Sequence, residues 1–166
     1  MFAPGDYVIY SVEGVCRVEE AGKLDEPGLD RTREYYRLTP YYRGGVIYTP
    51  VEGKAAIRKV LSKPDLQALL PKLPELPELS DVPADVKQQA GFYREILAGH
   101  DCLRLLQLCK TICNKQKQLA AKRRTVSSTE LRSWKAAEEM LHQEFAFVLG
   151  IEPVEAKQYL EKAFAS

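Results

Sequence analysis

The chain has 166 residues, 45% hydrophobic and 28% charged, with a formal net charge of +1. That length makes one medium domain or two small ones, and the composition is that of an ordinary globular protein. No apolar run approaches the roughly 20 residues that span a bilayer core, which excludes a transmembrane helix.

The first element is a hairpin. Tyr7–Tyr10 and Val15–Val18 are short runs of β-branched and aromatic residues around a turn at Glu13-Gly14, behind Pro4-Gly5-Asp6. A polar loop, 21–33, follows. Residues 34–39 and 45–49 then alternate around a turn at Tyr42–Gly45, with Pro50 closing the second run because it cannot donate to a ladder. Residues 56–59 make a fifth short strand. Five short strands without a long helix predict a small antiparallel β-barrel, Tudor- or SH3-like.

Ser62 and Asp65 read as a capping box around Pro64, opening a short helix through Leu66, Leu69 and Leu70. Pro71, Pro74 and Pro77 then interrupt any α-helix. The expected division is therefore a β module at 1–70, an extended proline-rich connector at 71–80, and a compact four-helix domain at 81–166. The fold class is α+β.

The helices take their bounds from stop and start signals. Pro83 and Gly99 bracket the first, about 82–98. Asp101 caps the second, with Leu105, Leu108, Ile112 and Leu119 in its apolar stripe. Ser127–Glu130 is a capping box for the third, striped by Leu131, Trp134, Ala137, Leu141, Phe145 and Val148 and stopped at Gly150. Pro153 sits in the first turn of the fourth, whose apolar residues are Val154, Tyr159, Leu160 and Phe164.

Catalytic motifs are missing. No phosphate-binding glycine loop, nucleophile elbow or H-E-x-x-H pattern occurs. His100 reads as a helix-end surface residue and His142 as part of a solvated face. Cys16, Cys102, Cys109 and Cys113 lack zinc spacing and read as small, reduced core residues. The expectation is a non-enzyme with no cofactor, no metal and no small-molecule substrate. The opening Met1–Asp6 has no basic or apolar leader region, so the expected location is cytoplasmic, without a membrane partner.

Charge is distributed unevenly. Residues 1–80 carry 11 Lys/Arg against 12 Asp/Glu. Residues 104–135 carry nine Lys/Arg against Glu130 alone, and residues 136–166 carry two Lys against six Glu. Clustered cations release counterions from nucleic acid phosphates on binding. Lys122-Arg123-Arg124, together with the amides at the following helix start, reads as a phosphate contact. Tyr35, Tyr36, Tyr41, Tyr42 and Tyr48 crowd one sheet, and any that stand on an exposed edge suit protein recognition. Trp134 reads as core. Phe92 and Tyr93 are adjacent and cannot face the same way.

With these segments in place, the sequence resembles the CarD/CdnL family of bacterial transcription regulators. The likeness rests on Gly5–Tyr10, Gly14–Val18, Glu34–Leu38, Thr49-Pro50 and Ile57-Arg58, then on Val126–Glu130 followed by Ala136-Ala137, Met140-Leu141 and Glu144. The opening motif also resembles that of transcription-repair coupling factors. The CarD/CdnL resemblance implies a two-part adaptor. A Tudor-like module binds the β subunit of bacterial RNA polymerase through a strand edge, here expected at Leu24, Arg33, Tyr36, Arg43 and Tyr48. Leu24 and Tyr48 fall near the positions of the family's arginines, which implies either a different partner affinity or a more apolar contact. A helical module contacts promoter DNA, here expected at Lys87, Phe92, Tyr93, Arg94, Lys115, Lys117, Lys122, Arg123 and Arg124, and stabilises the open complex. The protein would then be nucleoid-associated through the polymerase. The family's tryptophan wedge is absent from residues 81–100; Val86, Lys87, Gln88 and Gln89 occupy its neighbourhood, and Trp134 falls at a core position. The alternative is a polymerase adaptor that has lost direct DNA binding.

Overall fold

The computed structural model describes residues 1–165. The chain divides into two compact units, Met1–Val60 and Leu61 onward.

The first unit is an antiparallel sheet of five strands among the described residues, in the order β4-β3-β2-β1-β5. These are β1 (Tyr7–Tyr10), β2 (Gly14–Gly22), β3 (Tyr35–Pro40), β4 (Ile47–Pro50) and β5 (Ile57–Lys59). A 3₁₀ turn at Ser11–Glu13 replaces a tight two-residue hairpin. Gly14 leaves that turn with φ 76° and ψ −139°, a conformation only glycine enters cheaply. Val8, Cys16, Val18, Tyr36 and Leu38 fill one face at 2% exposure or less. The register shifts between Val18 and Glu20, a bulge that bends β2. The sheet is not closed, so "barrel" describes it only loosely: the end strands β4 and β5, of four and three residues, pair only inward.

The second unit contains five α-helices among the described residues, not four: α1 (Lys63–Leu69), α2 (Val86–Gly99), α3 (Cys102–Ala120), α4 (Ser128–Leu149) and α5 (Pro153–Ala165). The extra one is the short helix expected to close the β module. Its Leu66 is fully buried in the helical core, which places α1 in this unit. α4, the longest at 22 residues, packs against each of the other four.

The proline stretch corrects the expected connector. Leu70–Glu75 form a 3₁₀ helix, which turns once every three residues. Within it Leu70 and Leu73 fall on one face, and Pro71 and Pro74 on another. Leu70, Leu73 and Leu79 are buried, Leu73 completely. Polar bonds from α3 hold the strip down. Lys110 Nζ donates to the Pro74 carbonyl at 2.8 Å, and the Leu79 amide donates to Thr111 Oγ1 at 2.9 Å. Proline forbids the α-helix but suits a three-residue period, so the segment packs as core instead of spanning solvent.

Most helix ends form as the sequence predicts. Ser62, Asp101 and Ser127 cap α1, α3 and α4 through side-chain oxygens, and Gly150 ends α4 with φ 70°. α2 starts later than expected because Asp85 caps it, accepting from the Lys87 amide at 2.9 Å. It ends on His100, which takes the left-handed position (φ 48°) that glycine usually fills. His100 is 1% exposed and not a surface residue. α3 ends in a Schellman motif, with Arg124 N–H on the Leu119 carbonyl at 2.8 Å and Arg123 N–H on that of Ala120 at 3.0 Å. Its left-handed residue is Arg123, at φ 58°. Among the described residues, no helix is long and apolar enough to cross a membrane.

Two stability measurements test these assignments. Leu73→Ala should cost about 2–5 kcal/mol in urea unfolding, as for a buried leucine, whereas a tethering segment would change by under about 0.5 kcal/mol. Arg123→Gly should raise stability by roughly 0.5–1 kcal/mol, because glycine occupies the left-handed region without strain; unchanged or lower stability would show that Arg123 is not strained.

Candidate nucleic-acid interface and sheet edge

The basic stretch occupies the last turns of α3 and the loop to α4. Lys117, Lys122, Arg123 and Arg124 are all exposed, as are Arg132 and Lys135 on α4. The other three cations of the block have committed partners. Arg104 makes a bidentate pair with Asp81 at 3.1 and 3.0 Å, and its guanidinium lies 5.7 Å from the Phe92 ring centre. Lys110 serves the proline strip. Lys115 Nζ lies 2.7 Å from Glu130 Oε2.

Glu130 is 4% exposed and is the centre of the helix start. Its Oε1 accepts from the Ser127 amide, and Ser127 Oγ accepts from the Glu130 amide, both at 3.1 Å, closing the capping box. Burial alone would push its carboxyl up; the Lys115 ammonium and the Ser127 bonds outweigh it and hold the group below its ordinary value. The carboxylate thus sits, charged, where a phosphate was expected. Two amides of the α4 start, those of Ser127 and Glu130, are therefore engaged within the chain. The exposed side chains of the loop carry the positive surface.

That loop is held at both ends. Its α3 end is the Schellman turn. At its α4 end, Gln116 Oε1 accepts from Thr125 Oγ1 at 3.1 Å and from the Val126 amide at 3.0 Å, and Val126 is buried. The sequence offers no signal for Gln116 in this role, since a helical glutamine is ordinarily a solvated residue. Nor does it single out Arg123, because glycine or asparagine is the usual left-handed residue.

The other helical candidates are scattered. Lys87 and Arg94 are exposed on α2. Tyr93 is 2% exposed and lies in the core, so its ring is unavailable to a ligand; burial and then Glu130 push its hydroxyl pKa up. Phe92 is half-buried between Tyr93, 5.6 Å away, and Arg104. Val86, at the first position of α2, is 71% exposed. Trp134 packs against the core but is only half-buried, and it lines a cleft of about 300 Å³ with Cys109, Cys113, Glu138 and Phe164. Leu131, expected in the stripe of α4, is 37% exposed, and Val154 and Tyr159 of α5 are exposed as well.

In the sheet unit, β4 is an edge. Tyr48 pairs across from Arg37, which pairs across from Glu20, so the three share a row. The row is tied by an Arg37–Glu20 ion pair at 3.2 Å, and Tyr48 is 37% exposed at its end. Arg33 and the half-buried Leu24 lie at the end of the sheet where β3 begins. Arg33 is exposed and donates to the Glu52 carbonyl at 3.2 Å. Arg43 lies at the opposite end, 3.7 Å from Glu13. Tyr36 is 2% exposed, and its hydroxyl accepts from the Phe2 amide at 2.9 Å. It is a core residue of the sheet and has no outward surface to offer.

The remaining reactive groups are quiet. Burial first, and Glu13 second, push the Cys16 thiol up to about 12, and burial raises Cys109 well above its ordinary value. Both stay protonated near neutrality and are poor nucleophiles and ligands. Burial, aided by Lys157, lowers the pKa of the half-buried His142, so it is not the solvated residue expected. Among the described residues, no group of three or more His, Cys, Asp or Glu is placed to hold a metal ion.

No curated protein matches the chain. Residues 2–61 match the family model described as the CarD-like/TRCF RID domain. That span coincides, to within one residue at each end, with the sheet unit Met1–Val60. Residues 2–61 are thus similar to the CarD-like/TRCF RID domain, and the chain, with that segment followed by five helices among the described residues, is consistent with a CarD-like family protein.

Proposed function

We propose that this protein is a transcription regulator that docks on the β subunit of bacterial RNA polymerase through its sheet unit. Its helical unit then contacts promoter DNA and modulates the stability of the open complex. The observation that carries the reading is the family match over the whole sheet unit, since the RID domain suggests polymerase interaction in the CarD/TRCF family. The geometry supports a specific mode. β4 is a short outer strand whose outward backbone groups suit pairing with a partner strand. Tyr48 adds an aromatic anchor on it, and Leu24, Arg33 and Arg43 flank it. Tyr36 acts indirectly, by keeping the sheet packed.

For DNA, the reading rests on Lys117, Lys122, Arg123 and Arg124, with Lys87 and Arg94 as further phosphate contacts. Lys115 supports the cap of α4 more than the surface. Such contacts give affinity without sequence preference. Phe92, held against Arg104, and the buried Tyr93 do not replace a wedge. The helical unit therefore grips the backbone of the duplex without prising base steps apart. The same observation is what favours the second reading, an adaptor without direct DNA binding.

Two experiments divide these readings. In a pull-down of bacterial polymerase with the full chain, the β subunit should be retained, and Tyr48→Asp should weaken retention by about tenfold or more, as for an interface tyrosine; loss of nothing on substitution would remove β4 as the docking edge. For DNA, the triple variant Lys122→Glu/Arg123→Glu/Arg124→Glu should bind duplex more weakly and show a log–log salt slope shallower by up to about 3. Identical slopes for parent and variant would favour the adaptor.

A further inference from the structure

We infer that Gln116 is a positioning residue for DNA contact: its side-chain oxygen clamps the 121–127 loop so that Lys122, Arg123 and Arg124 meet phosphates already ordered. The inference rests on the proposed DNA contact and specifies how that site is built.

Three observations converge on one short segment. Gln116 Oε1 accepts two hydrogen bonds from the loop's far end, from Thr125 Oγ1 and the Val126 amide. The near end is closed by the Schellman pair from Arg123 and Arg124 to α3. Between them, Arg123 keeps a left-handed backbone, with φ 58°, at a position where glycine would be unstrained. An exposed loop that only joined two helices would gain nothing from an arginine there. Strain retained at a non-glycine residue points to a use for that side chain.

The physical consequence is in the entropy of binding. Fixing the backbone of a flexible loop opposes association, and a loop already fixed in the free protein avoids that cost. Gln116 carries no charge, so it adds nothing to counterion release. Its removal should therefore lower affinity by the same factor at every salt concentration. Removing a cation should instead change the slope.

The test uses the full chain and fluorescein-labelled duplex DNA of random sequence, titrated across a salt series. Gln116→Ala should bind roughly tenfold more weakly with an unchanged slope, and amide exchange at Val126 should be faster. Thr125→Val, an exposed substitution that removes one of the two donors, should fall between the two and keeps the test available should Gln116→Ala unfold. Faster Val126 exchange with parental affinity would overturn the inference, as would a shallower slope or unchanged exchange in Gln116→Ala. If the triple charge reversal binds DNA like the parent, the DNA contact fails and the positioning role with it. If the triple reversal weakens binding and both clamp variants do not, the positioning role alone fails.

Discussion

The helical unit depends on what happens to one buried carboxylate. Glu130 is taken out of water at the start of the longest helix, and a buried charge is tolerated only when it is paired and hydrogen-bonded. Lys115 from α3 supplies the pair and the Ser127 amide supplies a further bond. The same contacts fix where α4 begins and how close α3 comes to that end. Because α4 packs against each of the other helices, its starting point sets the register of the unit. The loop between α3 and α4 inherits its shape from this knot, and Lys122, Arg123 and Arg124 stand on that loop.

This explains why the charge count of the sequence overstates the basic surface. Nine Lys/Arg occur in residues 104–135. Arg104, Lys110 and Lys115 are engaged by partners within the chain: Asp81, a proline-strip carbonyl and Glu130. A small number of exposed cations supports weak, salt-sensitive binding to a duplex. Weak binding is sufficient for a protein held beside its promoter by another contact, because tethering raises the effective concentration of the second site. The modest basic patch and the family match of the sheet unit thus support the same reading, in which docking comes first and DNA contact is added to it.

The features legible in the sequence were the local ones. Ser62, Asp101 and Ser127 cap their helices because a cap needs only residues within one turn of each other. The opening hairpin follows from alternation and from Gly14. What escaped was set by contacts distant in sequence or by competition between two valid rules. Prolines at a spacing of three rule out an α-helix, but the leucines between them share that spacing, and only packing against α5 and α1, with hydrogen bonds from α3, decides between tether and core. Gly99 looked like the helix stop, yet the buried His100 took the left-handed position. Adjacent Phe92 and Tyr93 had to diverge, but which one turned inward was fixed by packing. At the site, the positive charge was legible from composition; Gln116 was not, because an acceptor nine residues from Thr125 has no local signature.

The missing tryptophan changes what the helical unit can do, on the proposed reading. In its neighbourhood the structure exposes Val86, a short β-branched side chain, at the first position of α2. A wedge works by inserting apolar bulk between base pairs and recovering the unstacking cost through a bent, better-wrapped duplex. Valine brings little bulk, and Phe92 is occupied with Arg104. What remains is a preordered row of cations, which binds the backbone of whichever DNA conformation lies beside it. Such a surface shifts the equilibrium between closed and open promoter only through a difference in phosphate geometry between the two states. Its effect on transcription therefore depends on where the docked sheet unit places the loop relative to the melted segment, and the same surface can stabilise either state.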